Sequence, residues 1–434
     1  IYCLDRNPKQ VEEKLQRRGI SAPSTYRILA LNPQTGEELW QKTDGVFGTW
    51  LGYSEQHDLL LQAGAAASDR LSGEPDRGMM VCRANNGDVV WHQPDLAYSG
   101  PCILHNDLII ANANSYKDSA GAWFLKTGQP WLIMNPLTGE QSPFTLNRAY
   151  GCNTILASEN FLTFRSGAAG FYDLTNNGGT GNFGGFRSGC SGNLVVANGV
   201  LNAPDYTRTC SCSYQNQTSL ALVHMPEVET WTVSPLARPD APRQPIADLG
   251  INFGAPGHQR DDQGTLWIEW PAVVTENSPA HIRANPEATP YRRHSSAYAD
   301  SRSPWIYASG LQNIQWLEIE TSIGGGKAAA QKAPRGKSED CQPDEPKTDA
   351  THWNLQLYFA DPHSRLAVTA AAARSFDVLL NGTIVLQNIE IQPGGTLLQE
   401  INNSTPDDGP IRLEFRARSG QPVISGIRLQ RINP

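Results

Sequence analysis

The stretch at residues 28–40, "ILALNPQTGEELW", sets out a unit that recurs through the first half of the chain. A short apolar run leads into a polar turn that ends in glycine, and a second run closes on tryptophan. Residues 80–91, "MVCRANNGDVVW", and residues 131–139, "WLIMNPLTG", keep the same order. The turn glycines of the three copies, which lie 51 and 52 residues apart, are Gly36, Gly87 and Gly139. Each copy predicts a β-hairpin in which a type I turn joins an inner strand to an outer one.

Two weaker copies follow at residues 170–179, "GFYDLTNNGG", and 220–232, "LALVHMPEVETWT". A spacing of about fifty residues allows one four-stranded sheet with its connections. Such sheets cannot bury both faces alone, so they stack radially as the blades of a β-propeller, with Trp40 and Trp91 between neighbouring blades. The composition agrees, because 39 glycines, 30 prolines and 18% charged residues indicate a turn-rich, all-β chain. Residues 1–235 are therefore predicted to form about five blades.

The pattern A-L-N-x-x-T-G-x-x-x-W, best matched at Ala30–Trp40, resembles the tryptophan-docking repeat of pyrroloquinoline-quinone-like propellers. A closer resemblance, to propeller proteins of planctomycete and verrucomicrobial genomes, is carried by "VFGTWLGYSEQHDLLLQAG", "YGCNTILASENFLTFRS", "GGTGNFGGFRSGC" and "APDYTRTCSCSYQNQTSLALVHMPEVETWT". That closer resemblance implies no established reaction. Propellers of the quinone-like family usually have more blades than are counted here. The resemblance therefore implies that an upstream polypeptide or another subunit completes the propeller, or that this propeller is small and closed.

The chain opens with "IYCLDRNPKQ", inside a strand-like run and without a starting methionine. It is therefore expected to be processed or to be a fragment of a longer protein. A Pro-rich segment at 236–247 predicts a linker to a second domain at 248–434.

Strict alternation of apolar and polar residues marks the second domain. In "HWNLQLYFAD" it predicts a strand whose buried face consists of Trp353, Leu355, Leu357 and Phe359. "SFDVLLNGTIVLQNIEI" predicts a hairpin with Asn381-Gly382 as its two-residue turn. Regular short strands of this kind predict a β-sandwich. The charged, low-complexity segment 324–350 is predicted to be a mobile insertion.

The stretches "LYFAD", "RSFDVLLNGTIVLQNIEI" and "GPIRLEFRARSGQPVISGIRL" resemble the malectin-like carbohydrate-binding domain. The resemblance implies a sugar site in which loop aromatics stack on the sugar ring and carboxylates or amides bind its hydroxyls. The candidates are three aromatics of the 291–307 loop and two carboxylates near a later strand, namely Tyr291, Tyr298, Trp305, Asp407 and Asp408. The alternative is that these residues only pack a long loop.

The predicted blades also carry polar residues that could face a pocket at the propeller axis. The tetrapeptide "FRSG" occurs at 164–167 and again at 186–189. The candidates for this axial pocket are Arg148, Asn153, Arg165, Asp173 and Arg187. Arginines at the mouth of a funnel suit carboxylates or other anions. The alternative is that they pair with blade carboxylates and backbone carbonyls.

The eight cysteines are even in number, and none lies in a CxxC or CxxCH motif. This pattern favours disulfides formed in an oxidising compartment. The candidate disulfides are Cys102 with Cys152, and Cys190 with either Cys210 or Cys212. The sequence leaves the connectivity open. Buried free thiols are the alternative, and no metal site is predicted because the C-x-C spacing is poor for a chelate.

Composition and motifs limit the possible functions. The formal net charge of −8 and the lack of a basic stripe exclude nucleic acid as an expected partner. No apolar run is long enough to span a membrane. No nucleophile elbow, P-loop or dinucleotide motif occurs, and no cofactor is predicted. Pyrroloquinoline quinone with Ca²⁺ would need a flat aromatic surface, a basic group and several carboxylates. The only candidates for these roles are Arg148, Arg165 and Asp173.

These observations predict a periplasmic, secreted or cell-surface module for binding and assembly. Its expected partner is a carbohydrate or a protein, within a larger propeller-containing protein or complex. The alternative is the catalytic part of a quinoprotein-like oxidoreductase, or of a polysaccharide-active enzyme, that uses the axial pocket.

Overall fold

A computed structural model of the chain describes most residues between 1 and 432. The residues it does not describe are 8, 22–25, 49, 65–74, 76, 99–101, 113–120, 150, 153, 190–191, 205–219, 224–228, 235–245, 273–277, 322–351, 364–371, 403–409 and 433–434. The predicted insertion at 324–350 therefore lies wholly outside the described residues. The predicted linker at 236–247 lies almost wholly outside them.

The chain divides into two compact units. The first comprises Ile1–Ile133 and Gln141–His224, and the second comprises Met134–Glu140 and Met225–Pro434. Nearly all regular structure in the described residues is β-strand. The few helices there are α1 (Lys9–Arg17), α2 (Pro304–Tyr307) and a 3-10 helix, Ser295–Tyr298. The predicted all-β fold, a series of small antiparallel sheets followed by a β-sandwich, is confirmed.

The first unit consists of small antiparallel sheets that follow one another along the chain. The first sheet contains β1 (Tyr2–Asp5), β2 (Arg27–Leu31) and β3 (Glu38–Lys42), and the second contains β4 (Trp50–Ser54), β5 (Leu59–Ala63), β6 (Met79–Arg83) and β7 (Val89–Gln93). The third contains β8 (Cys102–His105), β9 (Leu108–Ala111) and β10 (Ala122–Phe124). After β11 (Leu132–Met134) and β12 (Gln141–Pro143), the fourth includes, as four consecutive strands of a five-stranded sheet, β13 (Leu156–Ala157), β14 (Phe161–Ser166), β15 (Ala168–Asp173) and β16 (Thr180–Asn182). The fifth contains β17 (Val195–Ala197), β18 (Val200–Ala203) and β19 (Leu220–Val223).

Tryptophans join neighbouring sheets of this unit. The Trp40 indole Nε1 donates a hydrogen bond to the Ala84 carbonyl in the turn of the second sheet, at 3.1 Å. Gly87, in the same turn, lies so close to this ring that a Cβ atom there would be 3.1 Å from it. The Trp91 Nε1 in turn donates to the Leu125 carbonyl, beyond β10, at 2.7 Å. The prediction that these tryptophans pack between neighbouring sheets is confirmed.

The repeat pattern in the sequence assigned the third repeat to the wrong turn. Trp91 docks on the turn that ends in Gly128, so this turn, and not the one ending in Gly139, is the equivalent of the first two. Residues 134–140 belong to the second unit, where Ala247 donates its N–H to the Leu137 carbonyl at 2.6 Å. Two Thr-Gly turns follow each other here, and only long-range contacts distinguish their roles.

The fifth repeat was also misread, because residues 220–232 do not form one hairpin. Among the described strands, β19 pairs with β18, whereas β20 (Thr232–Val233) belongs to the second unit.

Substituting alanine at Gly128 is expected to cost more stability than the same change at Gly36. Both residues have a left-handed backbone, with φ of +69° and +73°, so each change carries about 1 kcal/mol of backbone strain. At Gly128 the new Cβ would also lie 2.7 Å from Gln93 Nε2 and 2.9 Å from the Trp91 ring, whereas nothing lies within 4 Å at Gly36. We expect a loss of about 3 kcal/mol for Gly128→Ala, measured by urea denaturation. Equal losses for the two variants would contradict tryptophan docking.

The second unit is a β-sandwich. Its six-stranded sheet has the order β22 (Gln259–Arg260), β23 (Leu266–Trp270), β21 (Asp248–Phe253), β34 (Gly426–Ile432), β28 (His352–Ala360) and β31 (Thr396–Ile401). The five-stranded sheet has the order β24 (Ala280–Ala284), β27 (Trp316–Thr321), β32 (Ile411–Ser419), β29 (Arg374–Leu380) and β30 (Thr383–Ile391). A three-stranded sheet contains β25 (Thr289–Arg292), β26 (Ser309–Gln312) and β33 (Val423–Ile424).

Alternation along β28 separates the core from the outer face of the six-stranded sheet. The four residues predicted to share a face, Trp353, Leu355, Leu357 and Phe359, are all buried in the core. The predicted turn of the β29–β30 hairpin is also confirmed, since Leu380 pairs with Thr383. Gln356 and Tyr358 therefore lie on the opposite, outer face of the sheet.

Candidate functional site

A cleft of about 480 Å³ lies on the outer face of the six-stranded sheet. Its walls come from the turn at 261–263, the segment at 300–307 and the outer side of β28 and β31. Its lining combines tyrosines, carboxylates, amides and hydroxyls with one arginine and three aliphatic side chains. This volume is in the range of ligand pockets, roughly 300–1,000 Å³.

Aromatic rings form the base of this cleft. The Tyr358 ring packs edge-on against Trp267, with centroids 5.1 Å apart, and 5.7 Å from the Tyr307 ring. The Trp267 indole lies directly on the backbone of β21, because a Cβ atom on Gly250 would be 2.2 Å from it. Only glycine leaves room for this indole, so Gly250 determines where the aromatic base sits.

The hydroxyl of Tyr307 differs from those of the neighbouring tyrosines. The hydroxyls of Tyr291, Tyr298 and Tyr358 each lie within 3.1 Å of an oxygen atom of the protein. Tyr307 lines the cleft and is only 5% exposed, yet within the described residues its hydroxyl has no hydrogen-bond partner. Burial raises the pKa of Tyr307 to about 12, so the group is a neutral donor. The hydroxyl is therefore available to a ligand or a water molecule that occupies the cleft.

A short chain of hydrogen bonds orients one wall of the cleft. The Tyr358 hydroxyl donates to Gln356 Oε1 at 3.1 Å, and Gln356 Nε2 donates to Glu400 Oε1 at 2.8 Å. Gln356 and Glu400 are directly opposite each other on β28 and β31. Burial raises the pKa of Tyr358 above its usual value. The neutral phenol therefore fixes the amide, and the amide fixes the carboxylate.

The turn at 261–263 is held by its first carboxylate. Asp261 accepts hydrogen bonds from the backbone N–H of Gln263 at 2.9 Å and Thr265 at 3.0 Å, and from Trp267 Nε1 at 2.9 Å. The Gln263 side chain accepts a further bond from Arg428 at 2.6 Å. The turn is thus tied to the aromatic base and to the sheet.

The segment at 300–307 has an unusual backbone at the cleft. Ser303 has φ of 53° and ψ of 60°, a left-handed conformation that costs a non-glycine residue about 1 kcal/mol. The Ser301 hydroxyl lies 2.9 Å from that of Thr396 on β31, which ties the segment to the sheet. Such outliers are often found beside ligand sites.

The three aromatics predicted to stack on a sugar are not part of the cleft lining. Tyr291 and Tyr298 are buried, and their hydroxyls lie close to oxygen atoms of the protein, so their role in sugar stacking stays a prediction. Trp305 packs edge-on between Trp231 and Trp267, with centroids 6.0 and 5.8 Å away, and does not line the cleft. Asp407 and Asp408 lie outside the described residues. The predicted 291–307 loop supplies Tyr307 to the cleft, but neither Tyr307 nor Glu400 was among the predicted residues. The outward position of Tyr358 in β28 was the available signal.

Three of the predicted axial-pocket residues are buried arginines in the first unit, Arg148, Arg165 and Arg187. Arg148 donates to the carbonyls of Arg165 and Cys152, at 2.7 and 2.5 Å, and to Asn112 Oδ1 at 3.3 Å. Burial, together with the charge of Arg165, lowers the pKa of Arg148 to about 10. Arg148 therefore follows the alternative interpretation, in which an arginine binds carbonyl oxygens.

Of the remaining axial candidates, only Asp173 is among the described residues. Asp173 lies opposite Phe161 at one end of β15, whereas Arg165 lies opposite Ala169 near the other end. The Asp173 carboxylate accepts the Thr175 N–H at 2.8 Å, which closes a local turn. Asp173 thus lies at the other end of the strand from the partner of Arg165, its role in an axial pocket stays a prediction, and Asn153 lies outside the described residues.

The predicted disulfide between Cys102 and Cys152 is also wrong, because both are free thiols. Cys102 begins β8 inside the apolar core, where burial raises its pKa to about 12. This is the behaviour of a structural thiol. Cys190, Cys210 and Cys212 lie outside the described residues. Among the residues with described positions, no group of three or more potential ligands could hold a metal ion.

No family model and no curated protein matches the chain. Among solved structures, the chain is similar to a β-glucuronidase of Bacteroides uniformis, with 14% identity over 43% of this chain and 18% of that one, and a TM-score of 0.29. It is similar to the ANX2 ectodomain of Arabidopsis thaliana, with 15% identity over 43% of this chain and 42% of that one, and a TM-score of 0.27. BamB of Moraxella catarrhalis gives 16% identity over 43% and 55%, with a TM-score of 0.28.

The chain thus spans less than two thirds of the length of each of these structures. Because no family model matches, the resemblance to quinone-binding propellers stays a prediction. No helix in the described residues is long and apolar enough to cross a membrane.

Proposed function

We propose that the second unit is a carbohydrate-binding module and that the cleft on its outer sheet face is the binding site. The observation that carries this proposal is the Tyr307 hydroxyl, which opens onto the cleft from a side chain that is only 5% exposed and has no hydrogen-bond partner among the described residues. A sugar hydroxyl can both donate to and accept from a phenol, so it supplies the missing partner.

The other groups of the cleft suit the same ligand class. Sugars combine apolar C–H faces with hydroxyls in fixed directions, and they bind where aromatic surface lies beside oriented amides and carboxylates. The Tyr358–Gln356–Glu400 chain provides such an oriented set, because each group is held by the one before it. The rigid turn at Asp261 bounds the opposite side.

The proposed setting is outside the cytoplasm, in the periplasm, at the cell surface or in a secreted protein. The propeller-type first unit would serve assembly, either with an upstream polypeptide or with another subunit. Mass spectrometry of proteins that co-purify with the chain from its source, with and without crosslinking, tests this part. Recovery of the chain alone under both conditions would contradict it.

Removing the Tyr307 hydroxyl is expected to weaken saccharide binding about three- to tenfold, the effect of one hydrogen bond of about 1 kcal/mol. A glycan array would identify a saccharide, and isothermal titration calorimetry would compare Tyr307→Phe with the unchanged chain. Tyr53→Phe is the control, since Tyr53 is an exposed tyrosine of the first unit.

Two results would count against the proposed site. One is that no saccharide on the array binds, and the other is that Tyr307→Phe binds as tightly as the unchanged chain. Hydrolysis of a bound saccharide would instead support the polysaccharide-active alternative.

A further inference from the structure

The first and second sheets of the first unit contain the same turn. In the first sheet Gly36 donates its backbone N–H to the Asn32 carbonyl at 2.9 Å, and in the second sheet Gly87 donates to the Arg83 carbonyl at 2.9 Å. Both glycines have a left-handed backbone, with φ of +73° and +77°. The same register shift precedes both turns. Positions 51 residues apart are therefore structurally equivalent and can be compared directly.

The turn of the second sheet is covered by a tryptophan, whereas the turn of the first sheet is not. Ala84 and Gly87 are buried, and the Trp40 indole donates to the Ala84 carbonyl and lies against Gly87. Their equivalents in the first sheet, Pro33 and Gly36, are exposed. Within the described residues nothing lies within 4 Å of a Cβ atom placed on Gly36, and the Pro33 carbonyl accepts no hydrogen bond.

The sheet face beside this turn shows the same difference. In the second sheet, Met80 and Cys82 pack against the first sheet and are each 0% exposed. Leu29 and Leu31 take these positions in the first sheet, where both are only half-buried, and the neighbouring Ile1 is 62% exposed. An apolar face of this kind is buried by the next sheet wherever sheets of a repeat stack on each other.

We infer that the first sheet binds a further β-sheet whose outer strand carries a docking tryptophan. The surface that receives it, the docking face, consists of Ile1, Leu29, Leu31, Pro33 and Gly36. The incoming indole N–H donates to the Pro33 carbonyl and its ring covers Gly36, as Trp40 does on the turn of the second sheet. This inference rests on the assembly role in the proposed function and names its surface and its partner.

The docking tryptophan comes from outside residues 1–434. All eleven tryptophans of the chain are among the described residues, and none of them lies within 4 Å of a Cβ atom on Gly36. Each already packs within this chain; Trp131, for example, stacks on Phe144 with ring centroids 4.9 Å apart. A second copy would bring only the same packed tryptophans. The partner is therefore a different polypeptide stretch that contains the same repeat.

Site-specific crosslinking tests where the partner docks. Photoreactive p-benzoylphenylalanine is incorporated at Gln34, an exposed residue of the turn, in the full chain expressed in its source. We expect a crosslinked peptide from outside residues 1–434 that contains a strand closing on tryptophan in the repeat pattern. The control carries the same group at Asn85, the exposed equivalent in the second sheet, where Trp40 already covers the turn. The control should give no such peptide.

A glycine substitution provides the second readout. In Gly36→Ala the new Cβ atom would meet the incoming indole, because a Cβ atom at Gly87 would be 3.1 Å from the docked ring. We expect the yield of crosslinked product at Gln34 to fall about tenfold. Gly199→Ala is the matched control: Gly199 has φ of +74°, belongs to the first unit and has nothing within 4 Å among the described residues. It should leave the yield unchanged, and both variants should unfold at the same temperature.

The outcomes separate this inference from the assembly role. A crosslinked peptide from residues 1–434, whether of the same molecule or of a second copy, overturns the inference. A partner that co-purifies with the chain but does not crosslink at Gln34 through a tryptophan-bearing strand also overturns it and leaves the assembly role standing. Recovery of the chain alone, without any crosslink, overturns both. An unchanged yield in Gly36→Ala would show that no indole covers this turn, which overturns the inference.

Discussion

Replacing Arg374 with methionine is expected to lower the free energy of unfolding of the second unit by about 4 kcal/mol. Arg374 donates through Nε to Asp361, a carboxylate that is only 1% exposed, and through a terminal nitrogen to the Gln421 carbonyl at 2.8 Å. Without the guanidinium, this carboxylate would be buried without its counter-charge. Urea denaturation followed by circular dichroism measures the loss.

The matched control is Arg416→Met on β32. Arg416 is 61% exposed and lies 3.6 Å from Glu414, a surface pair. Its removal should cost about 1 kcal/mol or less. A similar small loss at Arg374 would show that the Asp361–Arg374 pair does not support the fold.

The same pair should make the second unit sensitive to acid. Burial by itself would raise the pKa of Asp361, but hydrogen bonds from Arg374 and His363 outweigh it and hold the pKa below its usual value. A depressed pKa means that the stabilisation is complete above the unfolded value of about 3.9 and is lost as the pH falls through the folded value. The difference in free energy of unfolding between the unchanged chain and Asp361→Asn should therefore become smaller below about pH 4. Urea denaturation at a series of pH values measures this difference.

Replacing Arg148 with methionine is expected to lower the free energy of unfolding of the first unit by about 3 kcal/mol. The change leaves the Arg165 and Cys152 carbonyls without this donor and removes one of the two donors to Asn112 Oδ1, the other being the Ile155 N–H. Each buried acceptor that loses its partner costs about 1–3 kcal/mol, partly offset by the apolar replacement. Thermal unfolding and hydrogen exchange in β14 measure the effect.

Two comparisons make this result specific. Arg83→Met removes an exposed arginine of the same unit, and we expect a change within about 0.5 kcal/mol. Arg148→Lys should recover only part of the loss, because an ammonium cannot reach three acceptors with the planar geometry of a guanidinium. Full stability in Arg148→Met would show that these carbonyls find other donors.

Local pattern predicted much of the fold. Alternation assigned the buried face of β28, and Asn381-Gly382 placed the turn of the β29–β30 hairpin. Both signals are carried by residues next to each other in the chain, where side-chain period and turn conformation act without tertiary context. Trp40 and Trp91 were recognisable for a related reason, since each closes a repeat that presents it in the same way.

By itself, the sequence determined the all-β class, the strand faces and the docking tryptophans, because these depend on neighbouring residues. Only the tertiary structure decided which Thr-Gly turn belongs to the first unit, which cysteines stay free, and which polar groups are already satisfied. Tyr291 and Tyr298 have partners, whereas Tyr307 has none among the described residues. Tyr307 and Tyr358 meet across 51 positions of chain. Hydrogen bonding and burial depend on such distant neighbours, which no local pattern encodes.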